Sequence, residues 1–162
     1  MGLMQRRKGR AFEQSVATRL RAAFPGAVVR RTSQADGAYA SDVVVEPPAP
    51  SVIGRVWWEC HDAASPRPLD KLAQAERDTR HLDVLPVVVW HRRGARMTRV
   101  TLRLGTLLKL VGDDGFGVIG AGMVVELDLV DLLQRMADAA LAGLIGAWDG
   151  RPVQTSAQEA SP

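Results

Sequence analysis

The sequence predicts an α/β fold in which helices flank a central mixed β-sheet, followed by a C-terminal strand–helix extension. Three observations carry this expectation. Stretches of helical periodicity bracket short β-branched runs in the order α-β-β-β-α-β-β. One run, Leu85-Pro86-Val87-Val88-Val89-Trp90, is almost purely apolar and reads as a strand covered on both faces. Proline and glycine clusters punctuate the pattern where elements should end.

Residues 6–24 place Phe12, Val16, Leu20 and Phe24 on one face of an amphipathic helix, and Pro25-Gly26 stops it. Ala27–Arg31 is a short strand, followed by a polar loop from Thr32 to Ala40. Asp42–Val45 is a second strand, halted by Pro47-Pro48-Ala49-Pro50, and Val52–His61 a third, so the pair forms a hairpin-like unit. Pro68-Leu69-Asp70 opens a second helix, running to about His81. It puts Lys71, Gln74 and Asp78 on one face, with Leu69, Leu72, Glu76 and Thr79 nearer the other.

After Leu85–Trp90, a basic turn from His91 to Met97 leads to Arg99–Leu104, with Val100, Leu102 and Leu104 inward. Thr106–Leu110 is a short closing helix. Five glycines between Gly112 and Gly122 read as a flexible hairpin or linker. Met123–Leu129 is then a strand, Val130–Ile145 a helix, and the chain beyond Trp148 disordered. Val125–Leu133 echoes Val100–Leu108 in its apolar positions, either as a repeated strand–helix unit or as a chance product of amphipathic patterning. The expected units are a core over 1–111, an acidic extension over 112–147 and a tail over 148–162.

With 162 residues, the chain suffices for one domain with a real core. No apolar run approaches the roughly 18 residues needed to span a bilayer, and no signal-peptide core follows the first residues. One cysteine excludes an internal disulfide and a cysteine-based zinc cluster. A reducing cytoplasm is the simplest expectation for its compartment. The net charge of +3 hides a division: residues 1–111 carry 19 Lys/Arg against 10 Asp/Glu, and residues 112–162 carry 2 against 8. A basic body fits a polyanion partner, although arginine-rich proteomes also yield many basic proteins. The acidic segment could cover that basic face, or extend a dimer interface through Leu129, Leu132, Leu133 and Met136.

The chemistry concentrates on the second and third strands. Alternation along Val56–His61 puts Trp57, Glu59 and His61 on one face, and Asp42 on the neighbouring strand could reach the same point. Two carboxylates plus the Cys60 backbone carbonyl would supply three hard oxygen ligands for Mg²⁺. The plainer alternative is that Asp42 caps a strand and Glu59 ends an exposed edge. Glu13 is the only acid among the first 31 residues. It is either a helix-surface carboxylate paired with Arg10 or Arg6, or a third carboxylate aimed at the metal. Lys71, in the first turn of the second helix, is a surface lysine or an ammonium reaching a scissile phosphate. His61 could bond the phosphate or water, act as a base, or ligate a metal.

The basic segments Arg6-Arg7-Lys8-Gly9-Arg10, Arg30-Arg31-Thr32-Ser33 and His91-Arg92-Arg93-Gly94-Ala95-Arg96 would neutralise phosphates without reading sequence. Aromatic residues make up only 5% of the chain and none interleaves these runs. A single-strand stacking platform is therefore disfavoured, and duplex or branched DNA gripped through its backbone fits better.

Lys8-Gly9-Arg10-x-Phe12-Glu13, Arg30-Arg31-Thr32-Ser33, Ser41-Asp42-Val43-Val44 and Trp58-Glu59-Cys60-His61 resemble the PD-(D/E)XK nucleases. Their order and spacing are similar to archaeal-type and phage Holliday-junction resolvases. The likeness continues through the Gln74-containing helix and Pro86–Val89 to about residue 111. The resemblance implies a restriction-endonuclease-like core and a homodimeric, Mg²⁺-dependent endonuclease (Mn²⁺ substituting) that nicks opposed strands of a four-way junction. It places metal carboxylates at Glu13, Asp42 and Glu59, with Ser33 near the phosphate. The family lysine should stand at position 61, where this chain has His; Lys71 is then the candidate replacement. Other readings are a repair or restriction-like nuclease acting on duplex DNA, and a degenerate nuclease fold kept as a DNA-binding or assembly protein.

Overall fold

The computed structural model describes residues 3–32, 40–112 and 122–142, with side chains from Lys8 onward. Eleven segments follow in order: α1 (Leu3–Ala23), β1 (Val28–Arg31), β2 (Val43–Glu46), a 3-10 turn (Val52–Arg55), β3 (Val56–Ala63), α2 (Pro68–Asp78), β4 (Leu85–Arg92), β5 (Thr98–Arg103), α3 (Leu104–Leu110), β6 (Val124–Asp128) and α4 (Leu129–Leu141). The strands form one six-stranded sheet in chain order. Only the β3–β4 pair is parallel, because α2 carries the chain back between them; the other neighbours are antiparallel. The fold is thus α/β with a mixed sheet and flanking helices.

The helices sit on two faces, and the central strand shows which. Val87 and Val89 join the apolar cluster that contains Val16 and Leu20 of α1 and Leu132 and Met136 of α4. Val88 is equally buried but lies outside that cluster, so it points to the opposite face, where α2 packs with Leu72 and Ala75. Val87, Val88 and Val89 are all 0% exposed, which is why this run carries no polar alternation.

Most elements stand where the periodicity places them, with informative differences. Val52–Arg55 coils into a 3-10 turn, so β3 begins only at Val56. The chain must reverse after the proline-rich stretch and still bury Ile53. It does so by passing Gly54 so close to Pro47 that an added Cβ would lie 3.1 Å from the proline Cδ. At its other end β3 runs on to Ala63, because Asp62 and Ala63 pair with His91 and Arg92 of β4. The second helix ends at Asp78, where Thr79 turns its hydroxyl back onto the Ala75 carbonyl at 2.7 Å. Leu69, which the spacing groups with Leu72 away from the Lys71 face, is 60% exposed, whereas Leu72 and Ala75 are buried.

The C-terminal third corrects a more consequential expectation. β6 extends the same sheet beside β5, and α4 packs beside α1. Leu129, Leu132, Leu133 and Met136 are buried in the chain's own core, so they form no dimer interface. The echo between Val100–Leu108 and Val125–Leu133 corresponds to a shared conformation: strand passes directly into helix at Leu104 and at Leu129. Asp128 caps α4 by accepting from the Val130 N–H at 2.7 Å. The glycines at 115, 117 and 120, the end of the expected last helix and the tail after Trp148 lie outside the described residues.

Candidate functional site

β2 and β3 share a single ladder pair, Val43 with Trp58, and diverge beyond it. Asp42 stands at that divergence. Its backbone stays tied to both neighbours, with its N–H donating to Trp58 at 3.0 Å and its carbonyl accepting from Thr32 at 3.0 Å. Its side chain takes over where the ladder stops: the Cys60 N–H donates to Asp42 Oδ2 at 2.7 Å. A residue's N–H and C=O lie on the same side of a strand, so the Cys60 carbonyl faces the same gap.

Glu59 is the register partner of Val88 and so projects to the α2 face. There Lys71 Nζ lies 3.5 Å from Glu59 Oε1 and donates to Gln74 Oε1 at 3.2 Å, and Gln74 in turn donates to Asp78 at 3.4 Å. The helical spacing read from the sequence thus becomes a hydrogen-bonded row ending on a strand carboxylate. Glu13 approaches from α1 on the other face and meets Arg31 of β1 at 3.1 Å rather than Arg10. Glu13, Asp42 and Glu59 therefore converge on one sheet margin from three levels: above, within and below the sheet.

The electrostatics record that convergence. Burial, reinforced by the Glu59 carboxylate, pushes the Asp42 carboxyl up to about 7; the Cys60 N–H opposes the rise, Glu13 adds to it and Lys71 reduces it. Burial, and then the Asp42 charge, holds the Cys60 thiol well above its ordinary range. His61 is shifted down, by burial first and then by the Lys71 ammonium, so its imidazole is neutral at pH 7. His61 also lines an open hollow of about 270 Å³ with Ala63, Ser65, Arg67, Asp70, Lys71 and Gln74.

Among the described residues, no group of three or more His, Cys, Asp or Glu side chains is set to hold a metal ion. The carboxylates act on one another electrostatically without forming a closed ligand cluster. The donor chemistry nevertheless suits a hard divalent cation. Asp42 is a half-buried carboxyl whose ionisation is resisted by burial and a second carboxylate, and a cation between it and Glu59 would relieve both.

Several expected DNA contacts are paired with the chain's own carboxylates. Arg30 lies 3.4 Å from Glu46, Arg31 is tied to Glu13, and Arg93 lies 3.7 Å from Asp62. Lys8, Arg10, Arg92 and Gln74 are exposed. The side chains of Arg6 and Arg7, and the whole of Ser33, lie outside the described residues.

The sequence reading gave no role to Asp62, which is only 11% exposed and lies 3.3 Å from His91 Nδ1. His91 Nε2 meets the Ala95 carbonyl at 2.8 Å, and its ring lies 5.9 Å from that of Phe12. This group braces the basic turn against α1. Only the parallel register that sets Asp62 beside His91 could have revealed it, and spacing along one strand does not carry that information.

Fold and site together define a mixed-sheet α/β protein with an acidic cluster at a strand divergence and a helix lysine beside it. No family model matches the chain, and no curated protein matches it. Among solved structures the chain is similar to Hjc, a Holliday junction resolvase from the archaeal hyperthermophile Archaeoglobus fulgidus. The two share 20% identity and a TM-score of 0.40, over 57% of this chain and 70% of that one. At that level the likeness says nothing of substrate or mechanism. No helix among the described residues is long and apolar enough to cross a membrane.

Proposed function

We propose that the protein is a metal-dependent DNA endonuclease that hydrolyses phosphodiesters in branched DNA, with a four-way junction as its preferred substrate. The observation that carries this reading is the placement of Lys71 against Glu59, beside a half-buried Asp42 whose carboxyl is pushed up to about 7. A cation site flanked by an ammonium is the arrangement that phosphodiester hydrolysis needs.

In this reading Asp42, Glu59 and the Cys60 carbonyl hold Mg²⁺, or Mn²⁺ in its place, and the bound ion supplies an activated water and a counter-charge for the phosphate. The Asp42 carboxyl is fixed by the Cys60 N–H, so one oxygen is oriented before any cation arrives. Lys71 points its ammonium at the scissile phosphate and stabilises the charge that develops there, and Gln74 holds the lysine in position. Neutral His61 serves as a hydrogen-bond donor at the edge of the site. Glu13, restrained by Arg31, adds negative potential that strengthens cation binding. Lys8, Arg10 and Arg92 supply exposed charge for the DNA backbone. Two opposed strands are cut in a junction, so the acting unit is a homodimer.

The test is incubation with labelled four-way junction and linear duplex in Mg²⁺ or Mn²⁺. Paired symmetric nicks that disappear in Asp42→Ala support the proposal. Tight junction binding without cleavage in either metal sinks it and leaves the DNA-binding alternative.

A further inference from the structure

The hollow beside Lys71 has walls of a distinct kind. His61 and Ala63 come from the end of β3, Ser65 and Arg67 from the loop that follows, and Asp70, Lys71 and Gln74 from the first turns of α2. Two cations face one carboxylate, and Asp70 lies 3.8 Å from Arg67, too far for a direct hydrogen bond. Both members of that pair are largely exposed, so little attraction holds the guanidinium there. A hydroxyl, an imidazole and a carboxamide complete a set rich in donors. The lining side chains suit a phosphoryl group better than an apolar ligand.

Position narrows the ligand further. Glu59 and His61 are alternate residues of β3 on the α2 face, so the hollow lies one strand repeat, roughly 6.6 Å, from the cluster. Lys71 belongs to both places, contacting Glu59 while lining the hollow. On the sheet, Trp90 is the register partner of His61 and donates its indole N–H to Thr101 at 2.9 Å. Thr101, with Arg67 and Asp70, lines a second hollow of about 380 Å³ that reaches β6. The two hollows adjoin at Arg67 and Asp70, which line both.

We infer that the hollow formed by His61, Ser65, Arg67 and Lys71 is a second phosphate subsite, which holds the nucleotide phosphate adjacent to the one attacked. The inference rests on the nuclease reading for the identity of that strand. Arg67 swings from Asp70 to the phosphate, Ser65 donates its hydroxyl, and Lys71 is shared between the two phosphates. This subsite fixes the position of the substrate strand without requiring a metal.

Titration of thymidine 5′-monophosphate into ¹⁵N-labelled protein in EDTA tests it, with thymidine as the phosphate-free control. The expected result is saturable shifts at Ala63 to Lys71 with the nucleotide and none with thymidine. Arg67→Gln should weaken the affinity about tenfold, and Ser65→Ala severalfold, without altering the remainder of the spectrum. Asp42→Asn should bind the nucleotide as well as or better than wild type while losing cleavage. Equal binding by wild type and Arg67→Gln, or shifts confined to other surfaces, would overturn the subsite. The two readings fail separately: binding without any DNA cleavage removes the nuclease and keeps the subsite, whereas cleavage without phosphate-dependent shifts does the reverse.

Discussion

Lys71 Nζ on α2 lies 3.5 Å from Glu59 Oε1 on β3, although the two residues are twelve apart in sequence and on different elements. The third strand carries a neutral histidine two residues after its carboxylate, and the second helix brings an ammonium to the same margin from the α2 face. If this contact supplies the charge that catalysis needs, Lys71→Ala should slow junction cleavage roughly 100- to 1,000-fold. His61→Ala should cost less than about tenfold, in keeping with a single neutral hydrogen bond. Introducing His61→Lys into the Lys71→Ala protein should recover part of the rate. Single-turnover rates check all three, and a larger loss from His61→Ala than from Lys71→Ala would reverse the assignment.

Asp42 links stability to pH. Its carboxyl titrates at 3.8 by default and at about 7 in the fold. Between those values the folded protein keeps a proton that the unfolded chain has released, so stability is greatest at the acid end of this window and falls as pH rises to about 7. The loss is at most about 4 kcal/mol at 1.36 kcal/mol per unit. Asp42→Asn retains an oxygen to accept from Cys60 and should flatten this slope, raising the metal-free melting temperature at pH 8 by several degrees. Chemical denaturation from pH 5 to pH 8 reads the effect; parallel profiles for the two proteins would contradict it.

A divalent cation needs Asp42 ionised, so binding should release a proton below about pH 7 and tighten as pH rises. Mg²⁺ or Mn²⁺ should therefore raise the melting temperature more at pH 8 than at pH 6. Glu59→Gln should abolish most of that shift, whereas Glu13→Gln should only reduce it, because Glu13 is held by Arg31. Calorimetry in two buffers of different ionisation enthalpy measures the proton release directly.

The strand and helix that end the described chain complete the core. Leu132 and Met136 are 0% exposed, and Leu132→Ala should destabilise the protein by about 2–5 kcal/mol. Deletion after residue 111 should leave a chain that does not fold cooperatively, since it removes β6 and one wall of the core. A truncated protein with a sharp thermal transition would show instead that residues 1–111 stand alone.

Arg103 fastens α2 to the sheet. Its guanidinium donates to Glu76 at 2.6 and 2.8 Å and to the Gly122 carbonyl at 2.8 Å, which holds its pKa above the ordinary arginine value through the Glu76 bonds. The pair is partly exposed, so Arg103→Ala should cost a moderate ~1–2 kcal/mol. It should also lower cleavage, because α2 carries Lys71 and Gln74. Double substitution with Glu76→Ala should be markedly less than additive, as measured by urea denaturation.

By itself the sequence determined the elements and their order, because hydrophobic periodicity is a local property. Phe12, Val16 and Leu20 mark the inner face of α1 at helical spacing, with Phe24 buried just past its end, and the unbroken Leu85–Trp90 run marks a strand buried on both sides. Alternation along β3 likewise set Glu59 and His61 on one face. Tertiary structure decided what spacing along one element cannot encode. The Asp42–Cys60 bond exists because β2 leaves β3 after one ladder pair, and the Asp62–His91 contact follows from the parallel β3–β4 register. The proximity of Lys71 to Glu59 depends on how α2 crosses the sheet. The burial of Leu129, Leu132, Leu133 and Met136 depends on β6 joining β5 rather than a second copy. Pairing, crossing and burial are relations between distant segments, set by the packing of the whole core, so they become visible only when the chain is closed.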